Sequence, residues 1–260
     1  PEVAVCLAGA SRSLPTMPVL RGFRQKLLST TEYSASLFAA LSLSSLWPQP
    51  LEYNGSLIAM LSEPVRVKRA LEHLRPYVQQ FVLYNTTEAY ARLGSHSCGA
   101  PELPGSASDP FSVMTWVPSL YSLQRCYAMI RTHELSRSDD HFDFVIRVRP
   151  DHLFLQFVPL ALNLSVSQWP THNAIVAPPS RAHDLSVVPA RVAPVYFNTF
   201  DTASSCLLTS SSELTERLPV HMQCWRHEQR DRMAACLLGV HLRYHGISVL
   251  SVGRNPVVIA

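Results

Sequence analysis

The chain has 260 residues, of which 47% are hydrophobic and 16% charged, and this balance of a folded protein excludes an intrinsically disordered chain. The formal net charge is +3 and there is no run of Lys and Arg, so we do not expect nucleic acid as a partner. No apolar run reaches the roughly 18 residues that would span a bilayer; because the chain begins with Pro1, we expect a trimmed domain whose membrane anchor, if it has one, lies outside this segment.

The first third of the chain has a strand–helix–strand rhythm. Residues 3–8 (VAVCLA) are a short apolar run that ends at a glycine, which is typical of a strand buried on both faces. A weak helix is predicted at 19–28. Residues 63–75 predict a second helix, with Pro64 in its first turn, and 77–84 (YVQQFVLY) predict the next strand. This order favours an α/β fold with a mostly parallel central sheet.

The remaining elements continue this pattern. Residues 94–110 are rich in Gly, Pro and Ser and predict a long loop, and 118–135 predict an amphipathic helix. The apolar run at 142–148 predicts the central strand. We expect one domain over residues 1–260, with helices on both faces of the sheet. The further predicted strands are 173–177, 195–200 and 247–252, and the further helices 210–218 and 227–245.

Charged residues lie at the end of the predicted central strand, in FDFVIRVRPD (142–151). Side chains alternate between the faces of a sheet, so Arg147 and Arg149 share one face. Two guanidinium groups in a core would be costly without partners, so we expect the strand to present Arg147, Arg149 and Asp151 to a polar cleft. Pro150 cannot continue the ladder and fixes the direction of the exit. The alternative is that the arginines pair with nearby Asp or Glu in an internal network.

This segment resembles the metal-binding strand of GT-A glycosyltransferases. In that fold an apolar strand and a short acidic signature, usually Asp-x-Asp, place a divalent metal on the diphosphate of a nucleotide-sugar. Arg149-Pro150-Asp151 takes that place here, so only the second acidic position is matched. The resemblance implies that Asp151 is a metal ligand. The chain is similar to GT-A-like proteins with a helix carrying Arg-Cys and a strand of the pattern Tyr-Asp-x-Val-Ile-Arg-x-Arg-Pro-Asp, here QRCY and FDFVIRVRPD.

The first strand extends the resemblance. Similar proteins open with a strand and a Gly-x-x-Arg turn that contacts the nucleotide, and Gly9 and Arg12 stand in those positions. The resemblance therefore implies Gly9, Arg12, Arg147 and Arg149 as residues that bind the nucleotide-sugar. A glycine permits close approach of the backbone, and a guanidinium group can pair with phosphate. A plain surface arginine is the alternative for Arg12.

The start of the last long helix supplies a candidate base. In inverting GT-A enzymes a carboxylate at that place deprotonates the acceptor hydroxyl, and Glu228 matches it, with Asp231 one turn on. Glu228 and Asp151 are thus the candidate catalytic residues. The alternative for Glu228 is that the helix dipole favours an acidic residue there. Asp201, which follows a predicted strand, either contacts the acceptor sugar or caps the next helix.

The resemblance implies a glycosyltransferase that moves a sugar from a nucleotide-sugar donor to a hydroxyl group of a glycan or glycoconjugate. The nucleotide-sugar is the co-substrate, and Mn²⁺ or Mg²⁺ is the expected cofactor. The missing first Asp leaves two alternatives open. Arg149 can balance the diphosphate charge in a metal-independent enzyme, or the chain is a catalytically inactive GT-A-like protein that binds carbohydrate or acts as a scaffold.

Cysteines and sequons bear on the compartment. No CxxC pair is present, which argues against a zinc finger. We expect three cysteines, Cys6, Cys126 and Cys236, to be small buried hydrophobes. The other three, Cys98, Cys206 and Cys224, lie in or near loops, where two of them can form one disulfide. Asn-x-Ser/Thr sequons at Asn54, Asn85 and Asn163 fit the Golgi or another secretory lumen, although chance occurrence is the alternative.

Overall fold

A computed structural model describes most of the chain. The described residues are 1–29, 33–43, 63–94, 110–137, 141–151, 153–154, 173–177, 184–204, 233–251 and 258–259, and within some helices and strands the backbone alone is described.

Seven strands of the described chain form one mixed sheet in the order β3-β2-β1-β4-β7-β6-β8. Strands β3, β2, β1 and β4 are parallel, β7 runs antiparallel between β4 and β6, and β6 and β8 are parallel to each other. A separate antiparallel pair joins β5 to β9. The strands are β1 Glu2–Ala10, β2 Ser34–Ser42, β3 Val78–Tyr84, β4 Phe144–Val148, β5 Leu153–Phe154, β6 Ala174–Ala177, β7 Leu185–Pro189, β8 Ser248–Ser251 and β9 Val258–Ile259.

Helices cover both faces of the sheet. They are α1 Met17–Gly22, which continues as a π-helical segment over Phe23–Leu28, α2 Pro64–His73, α3 Thr86–Gly94, α4 Pro110–Ser136, α5 Ala193–Phe197, α6 Thr199–Ser204 and α7 Met233–Tyr244. One core cluster packs the long helix α4 and its neighbours on one face, and the other packs α1 and α2 on the opposite face. The side chains of β1 alternate between the two clusters, so this central strand is apolar throughout.

These findings confirm the predicted fold class. Strand β1 pairs directly with β4, so the strands predicted at 3–8 and 142–148 lie in one sheet. The strands predicted at 77–84, 173–177 and 247–252 are also present, within a few residues of the predicted ends. The assignment of 1–260 to a single domain stays a prediction.

Several elements of the described chain differ from the sequence prediction. Residues 195–200, predicted as a strand, instead span the end of helix α5, the connecting residue Asn198 and the start of helix α6, and Pro194 stands in the first turn of α5. Strands β2 and β7 and helix α3 were not predicted, and α4 begins at Pro110 and contains Pro118, where its start was expected. The helix predicted at 210–218 and most of the loop predicted at 94–110 lie outside the described residues.

The interpretation of Cys6, Cys126 and Cys236 as simply small buried hydrophobes is wrong. Cys6 on β1 and Cys126 on α4 form a disulfide across 120 residues of sequence, and Cys236 is also disulfide-bonded. Both Cys6 and Cys126 are fully buried, as the apolar pattern indicated, but the two side chains face each other between strand and helix. None of the helices within the described residues combines the length and apolarity that a membrane span requires.

Candidate functional site

The ends of β1 and β4 meet at one edge of the sheet. Because the two strands are parallel neighbours, their carboxyl ends lie side by side, which is where ligands of open α/β sheets bind. Gly9 has a φ of 139°, and a Cβ atom placed on it would lie 3.1 Å from the Cδ atom of Pro150. The glycine therefore allows both an unusual backbone angle and the close approach of the turn after β4. The structure thus brings Gly9 beside the segment that carries Asp151.

The turn after β1 is also tied to β2. Residues Ser11–Ser13 form a 3₁₀ turn, and the buried Ser11 hydroxyl donates to the carbonyl oxygen of Ser42, 3.0 Å away at the end of β2. This hydrogen bond fixes the backbone of the predicted nucleotide-binding turn. The backbone of Arg12 lies within that turn, and its side chain is outside the described part of the structure.

Arg149 is held between two carboxylates. Its Nε and Nη2 atoms donate to the two carboxylate oxygens of Asp151 over 2.9 and 2.6 Å, and its Nη1 atom donates to Asp184 over 3.0 Å. Asp184 stands opposite Arg149, just before the antiparallel strand β7, and the backbone N–H of Arg149 donates to its carbonyl oxygen. Burial alone lowers the pKa of Arg149, but Asp151 and Asp184 together raise the pKa above its ordinary value. We call Arg149, Asp151 and Asp184 the arginine clamp.

Arg147 is in a different situation. It is 2% exposed, its Nη1 atom donates over 3.4 Å to the carbonyl oxygen of Asp184, and its Nε atom has no partner within the described residues. Burial lowers the pKa of Arg147 to about 10, against the opposing effect of Tyr196, so the side chain is still charged at neutral pH. A buried cation with so few hydrogen bonds is costly. The chain thus holds a sparsely compensated positive charge beneath the edge of the sheet.

The donor set at Asp151 does not fit a divalent cation as it stands. Both carboxylate oxygens of Asp151 already accept hydrogen bonds from the Arg149 guanidinium group, which carries the positive charge there. Within the described residues, no three His, Cys, Asp or Glu side chains lie close enough to hold a metal ion together. A cation would have to displace Arg149 from one or both carboxylates, so the role of Asp151 as a metal ligand stays a prediction.

The other predicted site residues divide into two groups. Glu228 and Asp231, on the helix predicted at 227–245, lie outside the described residues. Asp201 is described and lies in the first turn of α6. The sequence had suggested that it follows a strand or caps the next helix, and it does neither.

Asp184 is a site residue that was not predicted, because strand β7 was not predicted. The segment LSVVP (185–189) carries a usable signal, since it is a short run with two valines bounded by a proline, and a polar residue just before such a strand belongs to the edge of the sheet. No sequence signal pairs Asp184 with Arg149, because that contact depends on the antiparallel register between β4 and β7.

No protein-family model matches the chain, and no curated protein matches it in sequence. Among solved structures, the apo form of mouse xyloside xylosyltransferase 1 is similar with a TM-score of 0.44 and 9% identity, over 97% of this chain and 85% of that one. CMP:2-keto-3-deoxy-manno-octonic acid synthetase complexed with CTP has a TM-score of 0.39 and 10% identity, over 96% and 89% of the two chains.

A third similar structure is the galactosyltransferase LgtC in complex with donor and acceptor sugar analogs, with a TM-score of 0.36 and 10% identity over 96% of this chain and 73% of that one. All three TM-scores are below 0.5, so these likenesses carry no argument about activity. The case for a function comes from the geometry of the site and the strand motif.

Proposed function

We propose that this chain is a GT-A-type glycosyltransferase that moves a sugar from a nucleotide-sugar donor to a hydroxyl group of a glycan or glycoconjugate. The observation that carries the proposal is the meeting of Gly9 and Pro150 at the ends of two parallel strands, above the buried charge of Arg147. A close backbone approach and a fixed guanidinium group are what a diphosphate needs at the carboxyl edge of a sheet. The motif FDFVIRVRPD resembles the donor-binding strand of the GT-A family at this same place.

The proposed roles follow from the charges. Arg147 supplies positive charge to the donor diphosphate, with Gly9 and Arg12 contributing from the first turn. Arg149 is a positioning residue, because its guanidinium group is already engaged by Asp151 and Asp184 and holds the turn in place. Transfer breaks the bond between the sugar carbon and the diphosphate oxygen, and the diphosphate leaves with the bonding electrons. Positive charge near those oxygens stabilises the transition state.

Glu228 is the proposed base. It takes the proton of the acceptor hydroxyl as that oxygen bonds to the sugar carbon, on the strength of its match to the family position. Replacing Glu228 by Gln should lower turnover by about a hundredfold or more while donor affinity stays within a few-fold, because a base acts in the chemical step. Equal losses in turnover and in donor affinity, measured by steady-state kinetics and calorimetry, would count against this role.

The experiment that tests the proposal is a panel of nucleotide-sugars titrated by calorimetry, with and without Mn²⁺. Two matched variants sharpen it. Arg147→Met removes a buried charge that has one long hydrogen bond, so we expect weaker donor binding with unchanged or increased stability. Arg149→Met removes the partner of two carboxylates, so we expect a clear loss of stability.

The two arginine variants also separate the outcomes. Donor affinity that falls at least about tenfold in Arg147→Met, in a protein at least as stable as the parent, supports phosphate binding by Arg147. Unchanged donor affinity in that variant, or no nucleotide-sugar binding at all by the parent, would refute the proposed site. Binding that requires Mn²⁺ would mean that a cation displaces Arg149 from Asp151, and binding that does not would favour the metal-independent enzyme.

The second candidate function is a catalytically inactive protein that binds carbohydrate or acts as a scaffold. The arginine clamp favours it, since Asp151 forms a bidentate pair with Arg149 that would have to open before the carboxylate could ligate a metal. Slow hydrolysis of a bound nucleotide-sugar without any acceptor discriminates the two functions. An enzyme slowly transfers the sugar of the donor to water, whereas an inactive protein leaves the donor intact.

We further propose that the chain works in the Golgi or another secretory lumen. Asn85 of one sequon is exposed just before α3, and disulfides at Cys6–Cys126 and Cys236 are typical of oxidising compartments.

A further inference from the structure

A pocket lined by several arginine, tyrosine and amide side chains lies apart from the arginine clamp. Its volume is about 550 Å³, within the range of about 300–1,000 Å³ that small-molecule sites occupy. Helix α4 supplies most of its lining, α3 adds Arg92, and the connection between α5 and α6 adds Asn198. Gly9, Arg147, Arg149 and Asp151 are absent from the described lining residues. The pocket therefore needs an explanation of its own.

The spacing along α4 builds one wall. Tyr121, Arg125, Ala128 and Arg131 follow one another at intervals of four, three and three residues, which places them along one face of the helix. Ala128 is exposed and small, so it leaves space between the guanidinium groups on either side. Together with Arg92 they give the described lining three guanidinium groups and no carboxylate.

Two of these arginines have acidic neighbours but remain accessible. Arg125 lies 3.7 Å from Glu88, and Arg131 lies 2.6 Å from Glu134, while the two arginine side chains are 41% and 45% exposed. An ion pair at such exposure is weak, and each guanidinium group has five N–H donors. Each can therefore keep its acidic neighbour and still bind an oxygen atom of a ligand.

Two tyrosines form a rigid part of the wall. The ring of Tyr127 stacks on Phe197 with centroids 5.1 Å apart, and the ring of Tyr121 meets Tyr84 and Phe200 edge-on at 5.3 and 5.4 Å. Burial raises the pKa of Tyr127 to about 12, and burial together with the hydrogen bond to Glu88 raises the pKa of Tyr121. Both hydroxyl groups are neutral at physiological pH and add no negative charge to the pocket.

We propose that this pocket binds an anionic saccharide, a sugar whose sulfate, phosphate or carboxylate group is held by Arg92, Arg125 and Arg131. Guanidinium groups bind such oxyanions with paired hydrogen bonds. The amides of Gln124 and Asn198 each offer a donor and an acceptor, which suits the hydroxyl groups of a sugar ring. The three charges lie around one open pocket and do not form a long stripe, which fits a compact ligand better than a nucleic-acid strand.

The test is a calorimetric titration of the whole chain with matched saccharides. The probes are a sulfated disaccharide, a disaccharide with a uronic acid, glucose 6-phosphate, and a neutral disaccharide as the reference. At least one anionic probe should bind about tenfold or more tightly than the neutral one. Its affinity should fall between about 0.05 and 0.5 M salt, as the Debye length shrinks roughly threefold. The strongest anionic probe identifies the anionic group.

Two substitutions on the same helix locate the binding. Ala128→Glu puts a negative charge between the guanidinium groups and should weaken the best anionic probe by about tenfold or more. Ser136→Glu makes the same charge change at an exposed residue outside the described lining, at the far end of the helix and roughly 12 Å along its axis from Ala128, and should leave the affinity within about twofold. Arg125→Gln should repeat the loss, and it carries the test if thermal unfolding shows that Ala128→Glu does not fold.

Equal affinity for anionic and neutral probes, or equal effects of Ala128→Glu and Ser136→Glu, would overturn the proposal. The proposed donor site is tested by a separate measurement, nucleotide-sugar binding, which should be unchanged in Ala128→Glu. Loss of nucleotide binding in Arg147→Met with intact saccharide binding would show that the two sites succeed or fail independently.

Discussion

Arg147 and Arg149 stand two residues apart in the chain but experience opposite surroundings. Arg149 donates three hydrogen bonds to the carboxylates of Asp151 and Asp184, whereas Arg147 has one long bond to a carbonyl oxygen. In the first arrangement the guanidinium group has a carboxylate partner on each side. The second leaves the guanidinium group of Arg147 sparsely bonded in the interior, which is the condition under which binding an anion brings the largest gain.

The clamp makes a prediction about stability. Asp184→Asn removes one of the two charges that hold Arg149 and should lower the free energy of unfolding by between about 1 kcal/mol, as for an exposed pair, and about 3 kcal/mol, as for a buried one. Urea denaturation measures the change. Glu63→Gln is the matched control, because its pair with Arg66 is exposed and should be worth less than about 1 kcal/mol. Equal losses in the two variants would mean that the clamp does not stabilise the edge.

Variants of the two carboxylates of the arginine clamp distinguish an effect on stability from an effect on transfer. Asp151→Ala should cost a similar amount of stability, but under the proposed function it should also abolish transfer. Full transfer activity in Asp151→Ala, in an assay with Mn²⁺ present, would rule out Asp151 as a metal ligand and as a catalytic residue.

Gly9 and Gly239 provide a second matched pair. Gly9→Ala combines a φ of 139° with a Cβ contact of 3.1 Å to Pro150, so we expect it to lower the free energy of unfolding by about 1–3 kcal/mol and to weaken donor binding. Gly239→Ala lies inside α7 with open space around the added methyl group and should raise stability by about 0.5–1 kcal/mol. Thermal unfolding with donor titration checks both. A harmless Gly9→Ala would show that the ends of β1 and β4 are not tightly apposed.

At the scale of elements, sequence patterns predicted what local chemistry determines. The run VAVCLA predicts a buried strand because both of its faces are apolar, and the spacing of apolar residues in 63–75 predicts α2. Strand β2 (SASLFAALS) was not predicted, because Ser and Ala have little preference for strands. It forms through its pairing with β1 on one side and β3 on the other. Residues 195–200 (VYFNTF) were predicted as a strand, but Pro194 stands in the first turn of a helix there instead.

Only those features of the candidate site that depend on neighbouring residues in the sequence could be predicted. Gly9 and the Arg147–Asp151 segment were identified, because a glycine turn and charges after an apolar strand are local signals. Their contact through Pro150 follows from the parallel pairing of β1 with β4. The bond between Arg149 and Asp184 and the disulfide between Cys6 and Cys126 join residues far apart in sequence, so no local pattern could identify them.

His241 makes the contact between α7 and α5 sensitive to pH. It is 2% exposed, and its Nε2 atom lies 2.9 Å from the carbonyl oxygen of Val195, while His245 packs beside its ring. Burial lowers the pKa of His241 to about 4, with the hydrogen bond to Val195 opposing the shift. The unfolded chain binds a proton near pH 6.5 and the folded chain does not, so stability should fall as the pH drops from about 6.5 towards 4.

The loss attributable to this histidine is on the order of 2–3 kcal/mol at pH 4. Chemical denaturation of the parent and of His241→Gln across this range measures it, since the variant should lack that part of the pH dependence. His73→Gln, at the exposed end of α2, should follow the parent. Identical pH profiles for the parent and His241→Gln would show that the histidine is protonated with little cost in the folded state.

At the scale of the whole molecule, one sheet edge collects groups from distant parts of the chain. The parallel strands β1, β2 and β4 end there, and the antiparallel strand β7 begins there, so Ser11, Ser42, Asp151 and Asp184 converge although they come from four strands. The Cys6–Cys126 disulfide joins the central strand of this sheet to its longest described helix, α4. The edge is thus supported by hydrogen bonds and ion pairs, while a covalent link attaches the middle of β1 to α4.

The proposed secretory location predicts a covalent modification that can be measured on the intact protein. Asn85 is exposed, and its Oδ1 atom accepts the N–H of Thr87 at the start of α3, which leaves the sequon on the surface of a folded turn. Expression through a eukaryotic secretory system should give a product whose mass falls on treatment with an N-glycanase, and Asn85→Gln should remove one glycan from that difference. Expression in the cytosol is the control, because it supplies neither glycans nor an oxidising environment. If no glycan is found at Asn85, Asn54 or Asn163, and Cys6 and Cys126 react with a thiol reagent after unfolding without reductant, the lumenal location is wrong.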